Sequence, residues 1–211
     1  MKATTHTRWT VLALLAMSLA ASHASADMIY NGMGYRSAVT IQAPGLRIDT
    51  QAGQLRVEFE QTDYLGYCVD IYQNVADGPV DVRSVESLPN GEQVAFLFET
   101  YADGVDSDLD AAALQVAIWE VVNEDDGRDF NAKNGSFRIV GSGNVRNLAN
   151  DLLDTLPDSY TPSGDLAVLF SDSHQDILVG GRNSEPVPEP ATMSLLALGG
   201  VMALLRRRRR R

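Results

Sequence analysis

Both ends of this 211-residue chain are apolar runs flanked by basic residues, which leaves about 160 residues in between to build a folded body. Residues 1–26 have the three parts of a secretory signal peptide: Lys2 and Arg8, apolar Trp9 to Ala21, then small Ala24-Ser25-Ala26, where cleavage would leave Asp27 first. At the other end, Ala191 to Leu205 is an apolar run of 15 residues followed by six arginines, Arg206 to Arg211. The run is shorter than the roughly 20 residues a free-standing membrane helix needs. Even so, the arginine cluster suits a cytoplasmic stop, so residues 191–205 are the expected membrane contact. Residues 27–180 are long enough for one domain with a real core. The Gly-, Pro- and polar-rich residues 181–187 read as a tether, and 188–211 as a separate targeting element.

Removing the ends sharpens the charge. The chain has 17 Lys plus Arg and 28 Asp plus Glu; two basic residues lie in the first 26 and six in the last 6, so residues 27–205 carry about 9 − 28 = −19. A surface of that sign repels phosphate backbones, which excludes nucleic acid as a partner, because nucleic-acid affinity rests on Lys and Arg. Cations, amine-bearing molecules and basic surfaces fit better, although acidity is also a route to solubility.

The folded part reads as strands, then helices, then strands. Ser37 to Gln42, Leu55 to Glu60 and Tyr67 to Tyr72 alternate or are rich in β-branched residues, with turns at Ala43-Pro44-Gly45 and Ala52-Gly53. Period two on the third strand puts Tyr67, Val69 and Ile71 on one face. It puts Cys68, Asp70 and Tyr72 on the other, a partly polar face outside the main core. A helix begins at Pro89-Asn90-Gly91-Glu92 and runs through Tyr101. The acidic loop Asp103 to Asp108 then caps a second helix, Leu109 to Asn123, whose end, with Glu120, Glu124, Asp125 and Asp126, reads as solvated. Asn134-Gly135 predicts a hairpin between 129–131 and 136–140. A third helix, 144–156, is capped by Ser142, and strands return at Leu166 to Phe170 and Ile177 to Val179. The fold class is α+β: a sheet or sandwich part with inserted helices.

Two residues are out of place in this pattern. Cys68 is the only cysteine, so in an oxidising compartment it has no internal disulfide partner. Gln115 has only Ala111, Ala112, Ile118 and Trp119 as neighbours at helical spacing, and an unpartnered buried amide costs about 1 to 3 kcal/mol. Other chemistries find little support. The folded part keeps one histidine, His174, which reads as a surface loop residue and a thin basis for a cysteine hydrolase. Zinc lacks its ligands. Asp106, Asp108 and Asp110 have the spacing of the first EF-hand ligands, but Ala111 and Ala117 stand where glycine and the closing glutamate belong, so the Asp103 to Asp110 cluster reads as a helix cap. No metal and no cofactor is expected.

Two stretches carry family resemblances. Val187-Pro188-Glu189-Pro190-Ala191-Thr192, with the apolar run and arginines, resembles the PEP-CTERM sorting signal of Gram-negative bacteria. That resemblance implies processing by an exosortase and delivery to the cell envelope, outer surface or extracellular matrix. Tyr67-Cys68-Val69-Asp70 together with Gln115-Val116-Ala117-Ile118-Trp119 is similar to the thioester (TQXA) domain of bacterial surface proteins. In that family a Cys and a Gln condense with loss of ammonia, and the acyl group captures a nucleophile. Carried over, Cys68 supplies the sulfur and Gln115 the acyl group. Leu114 departs from the usual Thr, and the Cys-to-Gln interval is compact.

An internal thioester persists in water only where solvent is excluded; Tyr67, Trp119 and Tyr101 are candidates to shield it. The expected function is a single-use covalent tether rather than an enzyme, aimed at an amine- or hydroxyl-bearing surface target. The alternative is a noncovalent structural component of an exopolysaccharide matrix.

Overall fold

The computed structural model describes residues 26–124 and 130–180. Residues 1–25 of the expected signal peptide, residues 125–129, the expected tether 181–187 and Pro188, Glu189 and Pro190 with their tail lie outside the described residues, whereas Ala26 opens the first strand. Seven antiparallel strands form one sheet: β1 (Ala26–Ala43), β2 (Leu46–Phe59), β3 (Thr62–Cys68), β4 (Gly78–Ser84), β5 (Arg138–Val140), β6 (Leu166–Phe170) and β7 (Ile177–Gly180). Its order is β2-β3-β7-β6-β4-β1-β5, and β1 also pairs with β2. Six strands therefore close into a ring of pairings, with β5 on the outer flank of β1. Three helices are inserted: α1 (Gly91–Tyr101), α2 (Asp108–Asn123) and α3 (Gly143–Leu153). The α+β class holds, with the β part a single antiparallel sheet. Among the described residues no helix is long and apolar enough to cross a membrane.

The expected turn at Pro44-Gly45 forms, with Gly45 at φ +73°. The expected turn at Ala52-Gly53 does not: both residues pair within β2, opposite Ser37 and Arg36. Gly53 is needed there for another reason. At φ +149° it brings the backbone so close to Arg36 that a Cβ would meet the Arg36 Cα at 2.7 Å. Beside it, the β1–β2 register shifts on either side of Met33, and such bulges re-aim side chains. The real turn into β3 is Glu60-Gln61, with both residues at positive φ and without the glycine that would have announced it.

α2 is the centre of the molecule. Every residue from Ala111 to Val121 is buried, as expected of a helix that is apolar all round. It packs against β1, β2, α1 and α3. Ser107 caps it, its hydroxyl accepting from the Asp110 amide at 3.2 Å, while Asp108 accepts from the Arg36 amide at 2.9 Å. The acidic loop thus ties the helix start to the sheet.

Three further expectations fail here, the last in part. Glu120 and Glu124 are buried, at 1% and 7% exposure, not solvated. Glu120 Oε1 accepts from the Asn131 amide at 2.7 Å and Glu124 Oε2 from the Ser136 amide at 2.9 Å, so the two carboxyl groups hold the segment after the helix. Among the described residues no strand forms at 130–131 to complete the hairpin expected between 129–131 and 136–140, and β5 pairs with β1 at Thr40 to Gln42 instead. Ser142 stands at the N-cap position of α3 as expected, and its carbonyl accepts from the Arg146 amide at 3.0 Å, but its hydroxyl makes no capping bond and donates to the Ala38 carbonyl at 3.2 Å instead.

Candidate functional site

Cys68 ends β3, paired with Ile177 of β7. Gly66 makes that pairing close: a Cβ there would stand 2.7 Å from the Leu178 carbonyl oxygen. After Cys68 the chain leaves the sheet, so the strand expected through Tyr72 stops four residues early. The Val69 amide donates to the Asp176 carbonyl at 2.9 Å, and the Gln175 amide group donates to the carbonyls of Asp70 and Gln73 at 2.9 and 3.2 Å. Residues 69–73 are thereby clasped to the segment that leads into β7.

Cys68 is 3% exposed, which corrects the expectation of a partly polar face. Tyr67 and Cys68 do point to opposite sides of the strand, but a different helix covers each side. Tyr67 packs edge-on against Phe98 of α1, with ring centroids 5.9 Å apart. Cys68 meets α2, where Gln115 is 1% exposed.

The contact between them is reciprocal. The Cys68 backbone N–H donates to Gln115 Oε1 at 2.9 Å, and Gln115 Nε2 donates to the Cys68 carbonyl at 2.7 Å. The Cys68 thiol itself donates to the Asp70 carbonyl at 2.9 Å. Burial pushes the Cys68 thiol far above the usual range; the Trp119 indole opposes this, while the charges of Asp70 and Asp176 add to it. At neutral pH the sulfur is a thiol.

Cys68, Gln115 and Trp119 line one cavity of about 260 Å³, with Ile71, Gln73 and Gln175 among its other walls. Trp119 lies four residues after Gln115, hence on the same face of α2. It is 3% exposed and packs against Phe137 at 6.3 Å. The other two shielding candidates lie elsewhere. Tyr67 lines a separate, larger cavity of about 1150 Å³. Tyr101 hydrogen-bonds Thr155 at 2.8 Å and packs on Phe96. His174 shares a 2.7 Å hydrogen bond with Ser171 and abuts Gly78; it is half-buried and does not line the Cys68 cavity. Gln73 and Gln175 were not legible as site residues, because nothing local in the polar segments around them points to a buried role.

Residues 186–210 match the PEP-CTERM protein-sorting motif. The protein is therefore exported to the cell envelope or surface of a Gram-negative bacterium and sorted by an exosortase. Among solved structures the chain is similar to the N-terminal thioester domain of fibronectin-binding protein SfbI from Streptococcus pyogenes. The identity is 14% and the TM-score 0.41, over 74% of this chain and 92% of that one. No curated protein matches.

Proposed function

We propose that Cys68 and Gln115 condense into an internal thioester, and that the exported domain, residues 27–180 on the tether 181–187, uses it once as a covalent attachment point. The observation that carries this reading is the pair of hydrogen bonds between the Gln115 amide and the Cys68 main chain. An unactivated carboxamide resists attack unless its carbonyl oxygen is polarised and the nucleophile is held against it. The Cys68 N–H supplies the first condition, and the shared residue supplies the second.

Sγ bonds to the Gln115 Cδ, the C–N bond breaks, and the thiol proton leaves with the nitrogen as ammonia. Later, an amine or hydroxyl attacks Cδ, the C–S bond breaks, and its electron pair and the nucleophile's proton regenerate the Cys68 thiol. Each molecule acts once, so the protein is a tether and not an enzyme. Trp119 and Ile71 keep the bond dry.

The test is the intact mass of residues 27–184 before and after methylamine, beside Cys68→Ala. A mass lower by one ammonia, with methylamine then adding at Gln115 and freeing a titratable thiol, is expected. A second reading draws on the larger cavity, where Tyr64, Tyr67, Arg56 and Asp165 offer rings and polar groups to a polysaccharide held without a covalent bond. It predicts an unmodified mass.

A further inference from the structure

Buried polar atoms in folded proteins are nearly always hydrogen-bonded, and each exception calls for a reason. Among the described residues, two buried side-chain atoms without a partner, Trp119 Nε1 and Gln73 Oε1, belong to walls of the Cys68–Gln115 cavity. One can only donate and the other only accept. They share this cavity with Cys68 and Gln115, and cleavage of the bond proposed between those two creates one acceptor and consumes one donor. As the C–S bond breaks, negative charge gathers on Cys68 Sγ. As the nucleophile attacks, its N–H or O–H becomes acidic and needs an acceptor. Among the described residues no wall of the cavity carries a charged side chain, so there neither task falls to an ion pair.

We propose that Trp119 and Gln73 are the transition-state partners of acyl transfer: the Trp119 indole N–H donates to the departing Cys68 sulfur, and Gln73 Oε1 accepts from the attacking N–H or O–H. This rests on the thioester reading. Groups left unpaired in the resting state and paired only during reaction accelerate the chemical step, because they contribute nothing to the ground state. The Trp119 N–H already favours the thiolate form of Cys68, though it makes no hydrogen bond of good geometry with the resting thiol. The nucleophile's lone pair forms the new bond to Gln115 Cδ, the C–S pair passes to sulfur, and the proton ends on Cys68. An amine attacks only as its neutral form, since an ammonium has no lone pair, so the rate climbs with pH until the free amine is fully deprotonated.

The experiment measures the second-order rate of methylamine addition by intact mass in the wild type, Trp119→Phe and Gln73→Met. Both variants keep the bulk of the side chain and remove the donor or the acceptor. Each is expected to retain the ammonia loss and to react at least about tenfold more slowly, since one aimed donor in a dry site is worth on the order of a hundredfold to a thousandfold. A faster Trp119→Phe reaction would identify Trp119 as a shield only, and unchanged rates in both variants would remove the proposal. If Trp119→Phe fails to form the bond, Gln73→Met still decides its own half, and the pH at which the unreacted Cys68 thiol of Trp119→Phe titrates, set beside that of the methylamine-opened wild type, decides the other: an unchanged value overturns the donor role. A wild type without ammonia loss overturns the thioester reading itself, an outcome distinct from unchanged rates.

Discussion

Opening the thioester with methylamine lowers the melting temperature, and the expected size follows from the chain. Cys68 and Gln115 are 47 positions apart. Joining them closes a loop whose entropy is removed from the unfolded state, worth about 4 kcal/mol at 25 °C by the chain-entropy relation for cross-links. A loss offsets part of this gain. When ammonia leaves, the Cys68 carbonyl gives up the donor it holds at 2.7 Å, and a buried acceptor left unpaired costs about 1 to 3 kcal/mol. The difference is about 1 to 3 kcal/mol in favour of the thioester, or about 2 to 12 °C for a domain of this size. The methylamide product opens the loop and returns one N–H to the Cys68 carbonyl, so both terms move together. Calorimetry on untreated and treated protein, with masses checked in parallel and Cys68→Ala as the open-loop control, measures this. An untreated sample that has lost ammonia yet melts no higher than the other two would refute the reasoning.

Three other outcomes are expected. In a Cys68→Ala background, Gln115→Ala strips the partners from both the Cys68 N–H and carbonyl and lowers the denaturant-derived stability by about 2 to 5 kcal/mol; a loss under about 1 kcal/mol would mean the pair is not what holds β3 to α2. Burial, reinforced by the charge of Glu124, pushes the Glu120 carboxyl up to about 7. The folded state then binds more protons than the unfolded state between about pH 4.5 and 7, so Glu120's contribution is full below that window and is lost as pH rises through it, by about 3 kcal/mol at most. Glu120→Gln should flatten that slope in pH-dependent denaturation, and an unchanged slope would place its source elsewhere. Dimethylamine yields a product with no N–H for the Cys68 carbonyl, so that product should unfold about 1 to 3 kcal/mol more easily than the methylamine product; equal stabilities would show that this carbonyl finds another donor.

What was legible in the sequence tracks what is local. The period of α1, the capped start of α2, the turn at Pro44-Gly45 and the last two strands follow from neighbouring residues, and all appear where expected. Gln115 was legible for a related reason: an amide among alanines and isoleucine on a helix declares itself by spacing alone. The failures that shape the site are long-range. Whether Asn134-Gly135 closes a hairpin depends on whether 138–140 finds a better partner, and β1 offers one about 98 positions earlier. Glu120 and Glu124 look solvated until the chain returns over them with its amides at Asn131 and Ser136.

Cys68 fails in the same way. Alternation correctly set it opposite Tyr67, but assumed that one face of the strand would be wet, whereas α1 covers one face and α2 the other. That double cover is what makes the site. A thiol on a half-exposed strand would be an ordinary surface cysteine open to any oxidant. A thiol sealed between a strand and a helix that carries a single amide in its apolar stretch is kept from solvent, with the Asp70 carbonyl as its hydrogen-bond acceptor and the Gln115 amide held on its own main chain. The burial that holds the thiol protonated also withholds water from the bond it would form.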